Sequence, residues 1–267
     1  MASYITGAIK ESGMDIRRSV ATPAMSSLSH VNTESAPLDR KSADLFCRIV
    51  CKLLYVGMRA RTDILTTLSF LTTRITKSTM EDLRKLRRLL EYLYGTVDLR
   101  LVLGADDLST AFTWVDASYA THVDMHSHTG GVISFGTGGI LCKSSKQKIN
   151  TKSSTEAEVV GASDYLPNTL WVMHFMEAQG YPIKRSVFSQ DNQSAIRLER
   201  NGRASAGEKS RHINIRHFWI TDRIRDVRRI IPMSTSLVRM TSRMESRRGP
   251  RSSNMFLEFQ DSLRRSR

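Results

Sequence analysis

Between Phe112 and Asp222 the hydrophobic pattern switches from period two to period 3.6 and back, which calls for strands and helices in one layered unit. In AFTWVDAS, Phe112, Trp114 and Asp116 fall on one side of a period-two strand, so a carboxylate follows two large apolar residues onto the same face. The runs HTGGVISF and ILCKSSKQK read as the next two strands of an antiparallel opening, with Gly136 to Gly139 as the turn between them.

The pattern turns helical at KSSTEAEVVGASDYL, where Ser153 and Glu156 have the spacing of a capping box. That gives Glu156 a structural task. Glu158 points about 200° away from it around a helix of 3.6 residues per turn, and it is assigned to chemistry. Pro167 suits the first turn of a helix better than its interior, so a second helix is expected from Pro167 to Gly180. SVFSQD then reads as a strand delivering Asp191 immediately before the helical NQSAIRLER. Three separate elements thus each present an acid, Asp116, Glu158 and Asp191, as a metal-dependent nuclease requires.

The 267 residues carry a formal net charge of +14 and a pI near 10.1, which favours a polyanionic partner. Lys143, Lys146, Lys148 and Lys152 lead toward Glu158 and are read as a phosphate-binding patch. Cys47, Cys51 and Cys142 have neither disulfide nor metal-site spacing, which points to a reducing compartment; Cys47 and Cys51 are expected in a helical core. No apolar run reaches the length of a membrane span, and the first residues lack the apolar stretch of a signal peptide. His122, His126 and His128 cluster near Asp124 but lack a second acidic partner, so zinc is not expected there. Trp171, Met173 and Met176 recur at helical spacing and are expected in the core.

Upstream, residues 1–44 read as an extended N-terminal segment or linker and residues 45–108 as a helical segment. Its third helix is expected to start with a capping box from Ser78 to Glu81 and to stop at Gly95. There Leu83, Leu86, Leu90 and Leu93 form an apolar stripe, while Arg84, Lys85, Arg87 and Arg88 are either phosphate contacts or a solvated face.

The strings WVDASYA, TGG, SSTEAE, QDNQSAI and RHINIR, in this order, resemble the ribonuclease H domain of copia-type retrotransposon Pol polyproteins. KLLYVGMRARTDI and RRLLEYLYGT are similar to the segment that links reverse transcriptase to that domain. The resemblance implies an α/β (α+β) fold: a ribonuclease H-like mixed five-stranded sheet flanked by helices over 109–226, preceded by a small helical segment. It implies hydrolysis of the RNA strand of RNA/DNA hybrids with two Mg²⁺ ions, Mn²⁺ being the alternative. Asp116, Glu158 and Asp191 would be both catalytic and metal-binding. Lys143, Lys146, Lys148, Lys152, Asn192, Gln193, Arg211 and His212 would contact nucleic acid. A cytoplasmic retroelement particle is the expected location, with the nucleus as the alternative, and no membrane or signal peptide is involved.

The likeness stops near Asp222. The family's last strand and its Ala-Asp-x-x-Thr-Lys helix, whose Asp is the fourth metal ligand, have no match in the sequence beyond Arg225. Residues 227–267, without lysine and crowded with Arg and Ser, are expected to be a divergent, disordered tail. A frameshift would account for it, and the other two reading frames of the coding DNA test that. Asp222, Asp226 and Asp261 are the candidate substitutes, and Asn214 stands where many relatives have an acid. The competing readings are an inactive nucleic-acid-binding remnant and, from Arg84-Lys85-Leu86-Arg87, a secreted RxLR-type effector.

Overall fold

The computed structural model describes residues 1–105, 107–201, 219–223 and 230–231. Helices α1 (Ala2–Glu11), α2 (Arg40–Arg59), α3 (Leu65–Thr73) and α4 (Met80–Gly95) precede strands β1 (Gly104–Ala105), β2 (Thr110–Ser118), β3 (His128–Ser134), β4 (Gly136–Thr137) and β5 (Leu141–Lys146). Helix α5 (Ser154–Ala178), β6 (Arg185–Ser189), α6 (Gln193–Asn201) and β7 (Ile230–Ile231) follow. The chain divides into two compact units at Leu101/Val102, with Ser144–Lys146 counted with the first. The boundary precedes the expected one at 108 because β1 pairs with β4 and so belongs to the second unit.

The first unit is helical. Asp39 caps α2 by accepting from the amides of Lys41 and Ser42, and Thr79 with Asp82 forms a capping box on α4. That box lies one residue beyond the expected Ser78–Glu81 pair, because Ser78 uses its carbonyl to pair with the amide of Leu38. Phe46, Ile49 and Leu53 of α2, Leu68 and Leu71 of α3 and Leu86, Leu90 and Leu93 of α4 share one core. Ile5 and Ala8 of α1 are buried in the same cluster, so the stretch expected to be an extended linker over 1–44 opens with a packed helix. Cys51 is exposed and Cys47 half-buried, contrary to a core role, because the apolar stripe of α2 runs through residues 46, 49, 50 and 53 instead.

The cations of α4 serve the chain itself. Lys85 donates to the carbonyls of Leu28 and His30, Arg87 to the Asp15 carbonyl at 2.9 Å, and Arg88 to the Thr22 hydroxyl at 3.0 Å. They strap the N-terminal segment onto the helix. Within the RxLR-like string Leu86 is buried and Lys85 is held by those carbonyls, so two of its four side chains are internal.

The second unit holds a five-stranded sheet in the order β5-β3-β2-β6-β7. Strands β2 and β3 are antiparallel, whereas β2/β6 and β6/β7 are parallel, so the sheet is mixed as expected. Ser186 to Ser189 are buried on both faces, as befits a strand with parallel neighbours on either side. Ile230–Ile231 is a short final strand, which corrects the expectation that this strand is missing; two β-branched residues suffice to pair with Ser186 and Val187.

Along β2, Ala111, Thr113, Val115 and Ala117 are the buried set, while Phe112, Trp114 and Asp116 share the half-buried face. Small residues point inward because α5 lies close against the sheet. A Cβ at Gly131 would sit 2.3 Å from the Tyr165 ring, and one at Gly161 would sit 3.1 Å from the Thr129 hydroxyl oxygen. Tyr165 reaches past Gly131 to donate its hydroxyl to the Leu141 carbonyl at 3.0 Å. Gly131→Ala is therefore expected to lower stability by about 1–3 kcal/mol through overpacking, read as a fall in the denaturant midpoint.

Helix α5 is continuous, which corrects the expected break at Pro167. Pro167 is exposed, so only an outward carbonyl loses its partner, and Tyr165, Leu166, Thr169, Val172 and Met173 stay buried on both sides of it. Burial of that continuous face overrides the local preference. Trp171 is 58% exposed and stacks on Phe175 at 5.3 Å instead of joining the core, whereas Met173 is buried and Met176 packs at the core's edge.

Candidate metal and nucleic-acid site

Each acid arrives by a different local rule. Asp116 sits near the end of β2, opposite Gly130 of β3. Glu158 lies in the first turns of α5, whose start is fixed by Ser153: its hydroxyl accepts from the Glu156 amide at 3.2 Å. Glu156 reaches back to the Lys152 amide at 2.7 Å, one residue before the donor of a regular capping box. Asp191 follows β6 and precedes α6, which Asn192 caps by accepting from the Ala195 amide at 3.0 Å.

The ligand atoms of Asp116, Glu158 and Asp191 all lie within 4.8 Å of one another. Glu158 is buried, Asp116 half-buried and Asp191 exposed, so the cluster opens at the Asp191 end. Burial, and then repulsion from Asp191, pushes the Asp116 carboxyl up to about 6. Burial, and then Asp116, pushes Glu158 up to about 9, against the hydrogen bond that Gln190 donates at 3.1 Å. Three hard oxygen donors that repel one another suit a divalent cation of the Mg²⁺ or Mn²⁺ type better than a soft metal. Among the described residues this is the one group of His, Cys, Asp and Glu side chains able to hold a metal. The histidines pair instead: His122 Nε2 meets His128 Nδ1 at 3.0 Å, and His126 meets Asp124 at 3.1 Å.

Two buried glutamines complete the site, and sequence reading missed both. Gln190 orients Glu158. Gln147 donates to the Thr129 hydroxyl at 2.9 Å and the Ala157 carbonyl at 2.8 Å, tying the start of α5 to β3. A glutamine beside a motif gives no periodic signal; only its burial marks it. Of the residues expected to touch nucleic acid, Lys143, Lys148, Lys152 and Gln193 are exposed, while Lys146 and Asn192 are half-buried. Arg211 and His212 lie outside the described residues, as do Asn214, Asp226 and Asp261. Asp222 is exposed and does not join the cluster.

Another buried acid stands apart from the site. Glu199 of α6 has neither carboxylate oxygen hydrogen-bonded, and burial pushes its pKa well above the usual carboxylate value. A carboxyl whose folded pKa is raised keeps its stability at low pH and loses it as pH rises. Glu199→Gln should therefore stabilise the protein by about 1–3 kcal/mol at pH 9 and by less at pH 5, measured as the difference in denaturation midpoints.

No protein-family model matches the sequence. The Pol polyprotein of the tobacco (Nicotiana tabacum) transposon TNT 1-94 is 30% identical over 179 residues, covering 66% of this chain and 13% of the relative. The Pol polyprotein of transposon RE1 from Arabidopsis thaliana is 28% identical over 190 residues, covering 70% and 13%. This chain is related to retrotransposon Pol polyproteins. The putative transposon Ty5-1 protein of Saccharomyces cerevisiae is 29% identical over 166 residues, covering 61% of the Pol-related chain and 53% of the yeast protein. The chain thus spans about an eighth of the two plant polyproteins and about half of the yeast one. Two solved structures also align. Ribonuclease H1 of Halobacterium salinarum NRC-1 is 14% identical with a TM-score of 0.28, covering 42% of this chain and 77% of that one. An N-terminal ribonuclease H domain from Mycobacterium tuberculosis is 12% identical with a TM-score of 0.33, covering 59% and 97%.

Among the described residues no helix is long and apolar enough to cross a membrane.

Proposed function

We propose that the second unit is a copia-type ribonuclease H domain that hydrolyses the RNA strand of an RNA/DNA hybrid with two divalent ions. The observation that carries this reading is the convergence of Asp116, Glu158 and Asp191 to within 4.8 Å from a strand, a helix and a strand-to-helix junction. When bound, Mg²⁺ or Mn²⁺ would supply activation of the attacking water and neutralisation of the leaving oxygen. The three carboxylates would hold the ions, with Asp191 at the solvent side and Glu158 fixed in orientation by Gln190. The exposed Lys143, Lys148 and Lys152 would take the phosphates of the hybrid and align its RNA strand with the acids.

The test is a labelled hybrid incubated with protein and Mg²⁺, Mn²⁺ or EDTA, beside a DNA duplex of the same sequence. Cleavage confined to the RNA of the hybrid, and abolished by EDTA, is expected. A second reading has one observation behind it: among the described residues no fourth acid joins the cluster. A protein that binds the hybrid but leaves it intact with either ion would be the inactive binding remnant.

A further inference from the structure

The first unit carries a surface that the nuclease reading does not use. Helix α1 runs along α2 so that Tyr4 meets Tyr55, with ring centroids 5.4 Å apart, while Glu11 meets Lys52 at 2.7 Å and Arg48 at 3.1 Å. Tyr4 is 39% exposed and Tyr55 43%. Each ring has a cation over it: the Arg59 guanidinium lies 4.1 Å from the Tyr55 centroid, and the Lys52 ammonium 5.2 Å from that of Tyr4. Arg48, Lys52 and Arg59 outnumber Glu11 along this seam, and Lys10 adds a further exposed cation on α1.

The geometry points to a binding surface for single-stranded nucleic acid, with Tyr4, Tyr55 and Arg59 as the base-stacking platform and Lys10, Arg48 and Lys52 as the phosphate contacts. Flat rings interleaved with a planar guanidinium offer π-faces to any base, and the excess of cations follows the backbone. A duplex, whose bases are stacked inside, gains only the charge term. An anionic lipid surface would take the same charges but calls for a continuous exposed apolar face to enter the bilayer boundary, and Ile5 and Ala8 of α1 are buried in the first unit's core instead.

This surface stands independently of the nuclease reading, so its test runs in EDTA, where no metal-dependent cleavage occurs. A fluorescent oligo(dT) is titrated by anisotropy into the full chain, into Tyr4→Ala/Tyr55→Ala and into Tyr4→Phe/Tyr55→Phe, and an abasic oligonucleotide of equal charge serves as the probe of stacking. The alanine pair should weaken oligo(dT) binding about tenfold or more, the phenylalanine pair should retain it, and the abasic probe should bind wild type about as weakly as oligo(dT) binds the alanine pair. An oligonucleotide carrying 5-iodouracil should cross-link to Tyr4 or Tyr55. Equal binding of oligo(dT) and the abasic probe overturns the proposal. So does an alanine pair that keeps wild-type affinity, or one that loses only its binding to phosphatidylserine vesicles. Loss of hybrid cleavage in Mg²⁺ with oligo(dT) binding unchanged would fault the nuclease reading alone.

Discussion

Asp116→Asn is expected to reduce hybrid cleavage by about 10²-fold or more and, in the absence of metal, to make the protein more stable at neutral pH. The two effects have one cause. The Asp116 carboxyl is raised to about 6 by burial and by Asp191, so at pH 7 the metal-free fold holds a charge it disfavours. For a carboxyl raised in the folded state, stability is complete below the unfolded value near 3.8 and falls as pH rises through about 6. The amide keeps the shape and removes the charge, which should return about 1–3 kcal/mol at pH 7 and nothing at pH 3.5. Denaturation in EDTA at the two pH values reads the stability, and a single-turnover hybrid assay reads the chemistry. Unchanged cleavage by the variant would remove Asp116 from the reaction. Glu158, raised to about 9, should extend the pH-dependent loss in the metal-free wild type further into alkali.

The largest loss of stability is expected from Arg61→Met. Arg61 is only 2% exposed, donates to the Asp63 carboxylate from Nε at 3.0 Å and from a terminal nitrogen at 2.8 Å, and donates to the Thr96 carbonyl at 2.7 Å. Tyr92 adds its hydroxyl to the same carboxylate at 2.7 Å. One guanidinium thereby joins the turn before α3 to the end of α4. Removing it strands Asp63 and the Thr96 carbonyl, a change expected to cost about 3–5 kcal/mol. A fall in the first unit's thermal midpoint checks this; a midpoint within a degree of wild type would show that water replaces the contacts. Asp63→Asn should fall between the two, since it removes the charge and keeps a hydrogen-bond acceptor for Arg61.

The placement of Asp116, Glu158 and Asp191 was legible in the sequence because each sits where a local rule acts: a period-two strand, a capped helix and a strand-to-helix junction. The five-motif order carried the family resemblance, and the polyprotein relatives agree with it. What the sequence concealed depended on contacts between distant residues. Pro167 reads as a helix start until α5 is seen lying on the sheet, where the buried residues on both sides hold one continuous axis. Trp171 reads as core because its spacing is helical, yet a helix has an outer face too. The box expected at Ser78 moved to Thr79 because a distant segment, at Leu38, claims the Ser78 carbonyl. Gln147 and Gln190 were invisible for the same reason: their partners, Ala157 and Glu158, are fixed by tertiary packing.

The strap on α4 changes how the chain's positive character should be understood. Lys85, Arg87 and Arg88 already donate to carbonyls and a hydroxyl of residues 15–30, and Glu81 and Glu91 lie beside Lys85 and Arg87 as counter-charges, so part of this charge is neutralised within the chain. A polyanion approaching the molecule meets fewer mobile cations than +14 implies. The ionic-strength dependence of its affinity would accordingly count the lysines of the loop before α5 and the excess of cations over Glu11 on the α1–α2 seam, with less from the most basic string of α4.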